Sequence, residues 1–141
     1  MEARNRHLPD WFDRIRTRQI SLPRFQRMEA WGPNEVSSLL ANVLQDLPAG
    51  ATLILQVGDE LPFISRSMLD APDDGERITE LLLDGQQRLT SLWRSLHDKY
   101  PDRTYLVSFE DDPHAPGQKR PAVRGQSRWW RNGKRYPVWV D

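Results

Sequence analysis

The stretch Asp84-Gly85-Gln86-Gln87-Arg88-Leu89-Thr90 gathers a carboxylate, a glycine, two amides, a guanidinium and a hydroxyl. Leu81-Leu82-Leu83 precede it and read as a buried strand. Leu89, Leu92, Trp93 and Leu96 follow at i, i+3, i+4 and i+7, which is one face of a helix. A strand that runs through a glycine into a helix aims unpaired amides and the positive helix end at one point. An anion, most often a phosphate, suits that point. Gly85 has no Cβ and lets the backbone approach the anion closely. Arg88 adds a guanidinium fork and Thr90 a hydroxyl. The competing reading is an ordinary strand-to-helix turn, such as every α/β domain has, that binds nothing.

Each side chain carries two readings. Asp84 caps the helix, or holds a magnesium ion, directly or through water, or orients an attacking water. An acid beside a phosphate is repelled unless a cation lies between them, so the second role implies Mg2+. Gln86 and Gln87 either donate to phosphate oxygens and position water, or are solvated helix residues. Arg88 either stabilises charge in phosphoryl transfer or pairs with Asp84, four residues back. A second block, Leu22-Pro23-Arg24-Phe25-Gln26-Arg27 with Trp31 after it, lies about sixty residues upstream. Strand parity decides whether Arg24 or Arg27 faces the motif helix, and Trp31 is either a core anchor or a base-stacking ring. Near the C-terminus, Trp129, Trp130, Tyr136 and Trp139 alternate with Arg128, Arg131, Lys134 and Arg135. That is the composition of a nucleic-acid platform, or of a packed hairpin with Trp129 and Trp130 on opposite faces.

The string from Asp84 to Thr90 resembles the signature of the N-terminal domain of GmrSD- and SspE-type phage-restriction endonucleases. The block Pro23, Phe25, Gln26, Arg27 and Trp31 resembles the earlier motif of the same family. The resemblance covers residues 8–110, with none seen for the last thirty residues. It implies a ParB/sulfiredoxin-like fold and binding and hydrolysis of a nucleoside triphosphate with Mg2+. It implies Arg27, Gln26, Gly85, Arg88 and Thr90 as nucleotide ligands. Asp84, Gln86, Gln87 and Arg88 then serve hydrolysis, with the metal on Asp84. It also implies DNA and a nuclease domain or subunit as partners, with nucleotide coupled to DNA cleavage carried out elsewhere. Two alternatives stand beside it: a DNA-sensing module without turnover, reading DNA through Arg128, Trp129, Arg131, Lys134 and Arg135, and an inactive truncated domain.

The elements that must position these groups are legible along the chain. The fold class is α/β (α+β): a small mixed sheet with packed helices and a C-terminal β-hairpin. Helices are predicted from Asp10 to about Thr17, from Trp31 to Leu47 and from Gln86 to about Lys99. Strands are predicted at 20–22, 52–57, 81–83 and 104–109. Residues 58–79 read as a long acidic excursion with a helical turn near 65–69, and 111–125 as a linker or mobile loop. Asn132-Gly133 between aromatic runs predicts a hairpin. The domain assignment is thus 8–110 for nucleotide binding and 111–141 for linker and hairpin. The hairpin reads as the start of a longer region, because about a dozen residues cannot bury it alone.

The 141 residues suit one domain, and the formal net charge of zero makes the whole chain no obvious polyanion binder. The charge is uneven: basic over 1–27, acidic over 59–80, basic again over 115–141. There is no cysteine, hence no disulfide framework and no thiolate metal site. No apolar run approaches a membrane span and no signal peptide is visible, which predicts a soluble, cytoplasmic protein. No Walker loop or serine–histidine–acid set is present, and His7, His97 and His114 stand isolated. A His-Asn-His nuclease site has no match, which predicts a fragment of a longer nuclease or a short stand-alone version.

Overall fold

A computed structural model of the chain describes residues 5–75 and 77–138. It is mixed α/β, with three helices among the described residues. The chain divides into two units, residues 1–30 with 50–93 and residues 31–49 with 94–141.

The first unit is built on a four-stranded sheet of β1 (Ile20–Pro23), β2 (Leu53–Gln56), β3 (Ser65–Arg66) and β4 (Glu80–Asp84), in the order β2-β4-β1-β3. β1 and β4 lie at the centre and pair in parallel, Ile20 opposite Glu80 and Ser21 opposite Leu81. Central parallel strands are covered on both faces, which is why they read as continuous apolar runs. Leu22, Leu81 and Leu82 are fully buried. α1 (Leu8–Arg16) and α3 (Gln86–Leu96) close the core: Ile15, Ile20, Leu22, Met68, Leu82, Leu89 and Trp93 form one cluster. Phe12 meets Trp93 edge to face at 5.6 Å. The unit carries one buried carboxylate of note, Glu80, gripped by both guanidinium nitrogens of Arg6 at 2.7 and 2.8 Å.

The second unit holds α2 (Pro33–Leu44), the hairpin of β5 (Arg103–Asp111) with β6 (Lys119–Ser127), and the hairpin of β7 (Trp129–Arg131) with β8 (Lys134–Tyr136). α2 lies along β6 and buries Val36, Leu39 and Leu40, whereas Val43, Leu44 and Leu47, which continue the same apolar spacing, are exposed.

Two predicted stretches differ in kind. The segment read as a helical turn forms β3, paired antiparallel with the end of β1, Leu22 opposite Arg66. The segment read as a linker contains β6, which pairs with β5 along its whole length, Arg103 opposite Ser127 through Asp111 opposite Lys119. Its charges, which look like loop composition, are cross-strand partners: Lys119 with Asp111 at 2.6 Å, and Arg124 with Glu110. The first helix is predicted to start at Asp10. The helix instead begins at Leu8 with His7 in the cap place, and Asp10 sits in its first turn.

Candidate functional site

β4 delivers the main motif. Its last residue, Asp84, pairs with Leu53, and Gly85 then turns the chain at φ +90°. Leu89 N–H donates to Gly85 O at 3.0 Å, so Gly85 holds the N-cap place and α3 starts at Gln86. Gly85 is buried. A Cβ there would lie 2.6 Å from Thr52 Cγ2. The room that this glycine leaves is therefore filled by Thr52, where an open cradle for an anion was expected.

The upstream block comes to the same place. The chain leaves the sheet at Pro23 in a turn closed by Gln26 N–H to Pro23 O at 3.1 Å, while Arg24 N–H bonds Ile64 O at 2.8 Å. Departure of β1 leaves carbonyls of β4 without a strand beside them. Gln26 supplies the missing donors: its Nε2 donates to Leu82 O at 2.8 Å and to Leu83 O at 2.9 Å. The glutamines of α3 reach back in turn. Gln86, buried, donates to Arg27 O at 2.6 Å. Gln87 accepts from Ala30 N–H at 2.7 Å and donates to Met28 O at 3.2 Å. Ser91 Oγ donates to Glu29 at 3.2 Å. Three glutamine amides thus clasp residues 26–30 onto β4 and the start of α3. Buried main-chain groups need such partners, and a side-chain amide is one of few groups able to donate and accept at once.

The charged groups divide between held and free. Arg88 lies over Gly50, where a Cβ would come within 3.1 Å of its Cζ, and it donates to Ala51 O. Its distance to Asp84 is 3.8 Å, a long pair on a carboxylate that is 74% exposed. Arg24 and Arg27 are exposed, and their guanidiniums have no partner among the described residues. Arg66 adds a third cation beside them, its Nη2 3.3 Å from Arg27 O; burial pushes this guanidinium down from a value high enough to leave it charged. Residues 19–28 and 61–69 contain no acid. Thr90 is sealed within α3's packed face, and its Oγ1 has no partner among the described residues.

Both motif blocks therefore meet, through an arrangement of amides on backbone. The model of the GmrSD restriction endonuclease, N-terminal domain, matches residues 8–136. The chain belongs to that family. The match extends past residue 110, through both hairpins of the second unit, further than the sequence resemblance reached. The GmrSD-type domain also has a relative in the uncharacterized protein MJ0686 of Methanocaldococcus jannaschii, 33% identical over 85 residues. The match covers 56% of this chain and 15% of the relative, so the chain spans a small part of that protein's length. No solved structure matches.

Sequence reasoning did not single out Thr52, Gly50 or Phe63, whose ring meets that of Phe25 in the upstream block edge to face at 5.3 Å. Thr52 and Gly50 become visible only through what a Cβ would strike. The hollow bounded by Arg18, Gly58, Asp59, Leu61, Arg77 and Ile78 contains none of the motif residues, and its arginines face Asp73 and Asp59. Among the described residues no three histidine or acidic side chains gather as a metal site, and no helix is long and apolar enough to cross a membrane.

The C-terminal basic residues fall into two groups. Arg128 differs from the expected DNA contact: its side chain is 2% exposed and turns inward to Asp98, donating also to Tyr100 O and Arg103 O, each at 3.0 Å. Trp129, Trp130, Arg131, Lys134 and Arg135 are exposed. Trp139 lies outside the described residues.

Proposed function

We propose that this domain binds a nucleoside triphosphate in front of the first turn of α3 and serves as the nucleotide-responsive part of a phage-restriction system. DNA cleavage would be carried by an associated nuclease domain or subunit. The observation that carries the reading is the 2.6 Å bond from Gln86 Nε2 to Arg27 O. It fixes the Arg27 segment, with its unpartnered guanidinium, against a helix start whose first amides have no acceptor within the helix.

In this reading Arg27 and Arg88 hold phosphate oxygens, Arg27 directly and Arg88 after exchanging its contact with Asp84. Gln26, Gln86 and Gln87 are positioning residues, since their amides are engaged with the backbone that carries Arg27. Gly85 shapes the turn, and Thr90 takes no part. Asp84 is exposed and only loosely paired, so it is the carboxylate that would hold Mg2+. The ion would neutralise phosphate charge beside that acid. Hydrolysis breaks the β–γ P–O bond by attack of water on the γ-phosphorus, and Arg88 meets the charge that gathers there.

The test is thermal unfolding with each of the four NTPs and Mg2+, on the unaltered chain and on Arg27→Ala. A ligand at about a hundred times its Kd stabilises by about 2.7 kcal/mol. Arg27→Ala should abolish that gain and leave the nucleotide-free Tm unchanged, because the Gln86 bond goes to the main chain. No rise with any NTP, or an equal rise in Arg27→Ala, overturns the reading.

A further inference from the structure

The hairpin Trp129–Tyr136 is pinned at its base and bare along its length. Arg128 N–H donates to Asp102 O at 2.7 Å, and the buried Arg128 guanidinium spans the carbonyls of Tyr100 and Arg103 and the carboxylate of Asp98. Beyond that anchor, Trp129 faces Tyr136, Trp130 faces Arg135 and Arg131 faces Lys134, closed by Asn132 at φ 51° and Gly133 at φ 72°. Strand alternation sorts these residues. Trp129, Tyr136, Arg131 and Lys134 share one face, and Trp130 and Arg135 share the other. Trp129 and Tyr136 stack on each other at 5.9 Å and 12°. Trp130 stacks on nothing among the described residues and is 70% exposed. The side chains of Arg131, Lys134 and Arg135 have no hydrogen-bond or ion-pair partner there, and residues 128–138 include no acid.

This composition selects a class of partner. Cores of protein–protein interfaces are enriched in tryptophan and arginine but depleted of charge overall and of lysine. Here one open ring, Trp130, has Arg135 on its own face and Arg131 and Lys134 on the other face of the same hairpin, and Val138 is the sole aliphatic residue of 128–138. Cations meet phosphates, and an open indole face accepts a base that is out of its stack. A base inside a duplex offers no such face. We infer that this hairpin is a binding element for single-stranded nucleic acid, with Trp130 stacking a base and Arg131, Lys134 and Arg135 meeting the backbone. It is independent of the triphosphate reading, and its test uses no nucleoside triphosphate.

The experiment is fluorescence anisotropy of labelled oligodeoxythymidine and oligouridine, each about 20 nucleotides, against the full chain at about 50 mM salt. A duplex of equal length is the comparison. Single strands of one or both kinds should bind more tightly than duplex. Trp130→Ala should weaken binding about 5- to 150-fold, the value of one base–aromatic stack. The triple variant Arg131→Ala, Lys134→Ala, Arg135→Ala should reduce the slope of log K against log salt by about 2, three phosphates at about 0.7 each. All four side chains are exposed, so unchanged Tm values certify folding. No binding by the unaltered chain, duplex bound as tightly as single strands, or both variants binding normally overturns the inference. Loss of binding in Arg27→Ala with both hairpin variants unaffected overturns it too, and moves the contact to the first unit.

Discussion

Replacing Gly85 by alanine separates the two reasons a glycine stands between β4 and α3. The first is conformational: φ is +90°, and an L-residue held at positive φ costs about 1–2 kcal/mol. The second is steric: the new Cβ would lie 2.6 Å from Thr52 Cγ2, well inside ordinary carbon contact. Overpacking of this kind costs about 1–3 kcal/mol, and an exposed Thr52 can yield part of it. Gly85→Ala should therefore destabilise by about 2–4 kcal/mol. Thr52→Ser removes the clashing methyl and leaves two close contacts at 3.3 Å, the residue 52 Cβ and the tip of Arg88, which shifts of a few tenths of an ångström in the exposed residue 52 and the flexible Arg88 side chain relieve. Alone it should change stability by under about 0.5 kcal/mol. In that background Gly85→Ala should cost only its conformational share, a coupling of about 1–2 kcal/mol. Urea unfolding of the four proteins measures the cycle. An equal cost of Gly85→Ala in both backgrounds would refute the packing of Thr52 against Gly85.

Two further perturbations test the anchors. Arg128→Ala withdraws donors from Tyr100 O, Arg103 O and Asp98, and should lower unfolding stability by about 3 kcal/mol. Arg128→Lys should recover little, because a point charge cannot span the acceptors that a planar fork reaches; urea midpoints decide. Gln26→Glu sets a carboxylate against Leu82 O and Leu83 O, where the native amide donates. A glutamate there has its folded pKa raised above the ordinary value of about 4.3, so its penalty is small at acid pH and grows as pH rises through that window. Gln26→Ala should show no such pH dependence. Parallel pH profiles of both variants would expose an error in the bonding of Gln26.

The strand–glycine–helix core was legible because burial and periodicity agree there. Leu81, Leu82, Leu89, Leu92 and Trp93 are all buried, and no charge interrupts their face. Leu96, the next residue in that pattern, is 53% exposed, because periodicity shows a direction and not where the packing ends. β6 escaped notice since proline, glycine and charge dominate it, and its ion pairs exist only once β5 sets the register. The inward turn of Arg128 depends on acceptors at 98–103 that any residue could offer as carbonyls. The same holds for the glutamines. Sequence shows a side-chain amide, but its partners at Arg27, Met28 and Leu82 are main-chain atoms more than fifty positions away.

Gln86 and Gln87 grip peptide groups, not side chains, and so they dictate the route of residues 27–30 while staying indifferent to much of their spelling. Met28 or Ala30 can be rewritten without loosening the strap, whereas altering one amide unfastens it. Selection on what the loop touches can therefore proceed without re-engineering how the loop is tied.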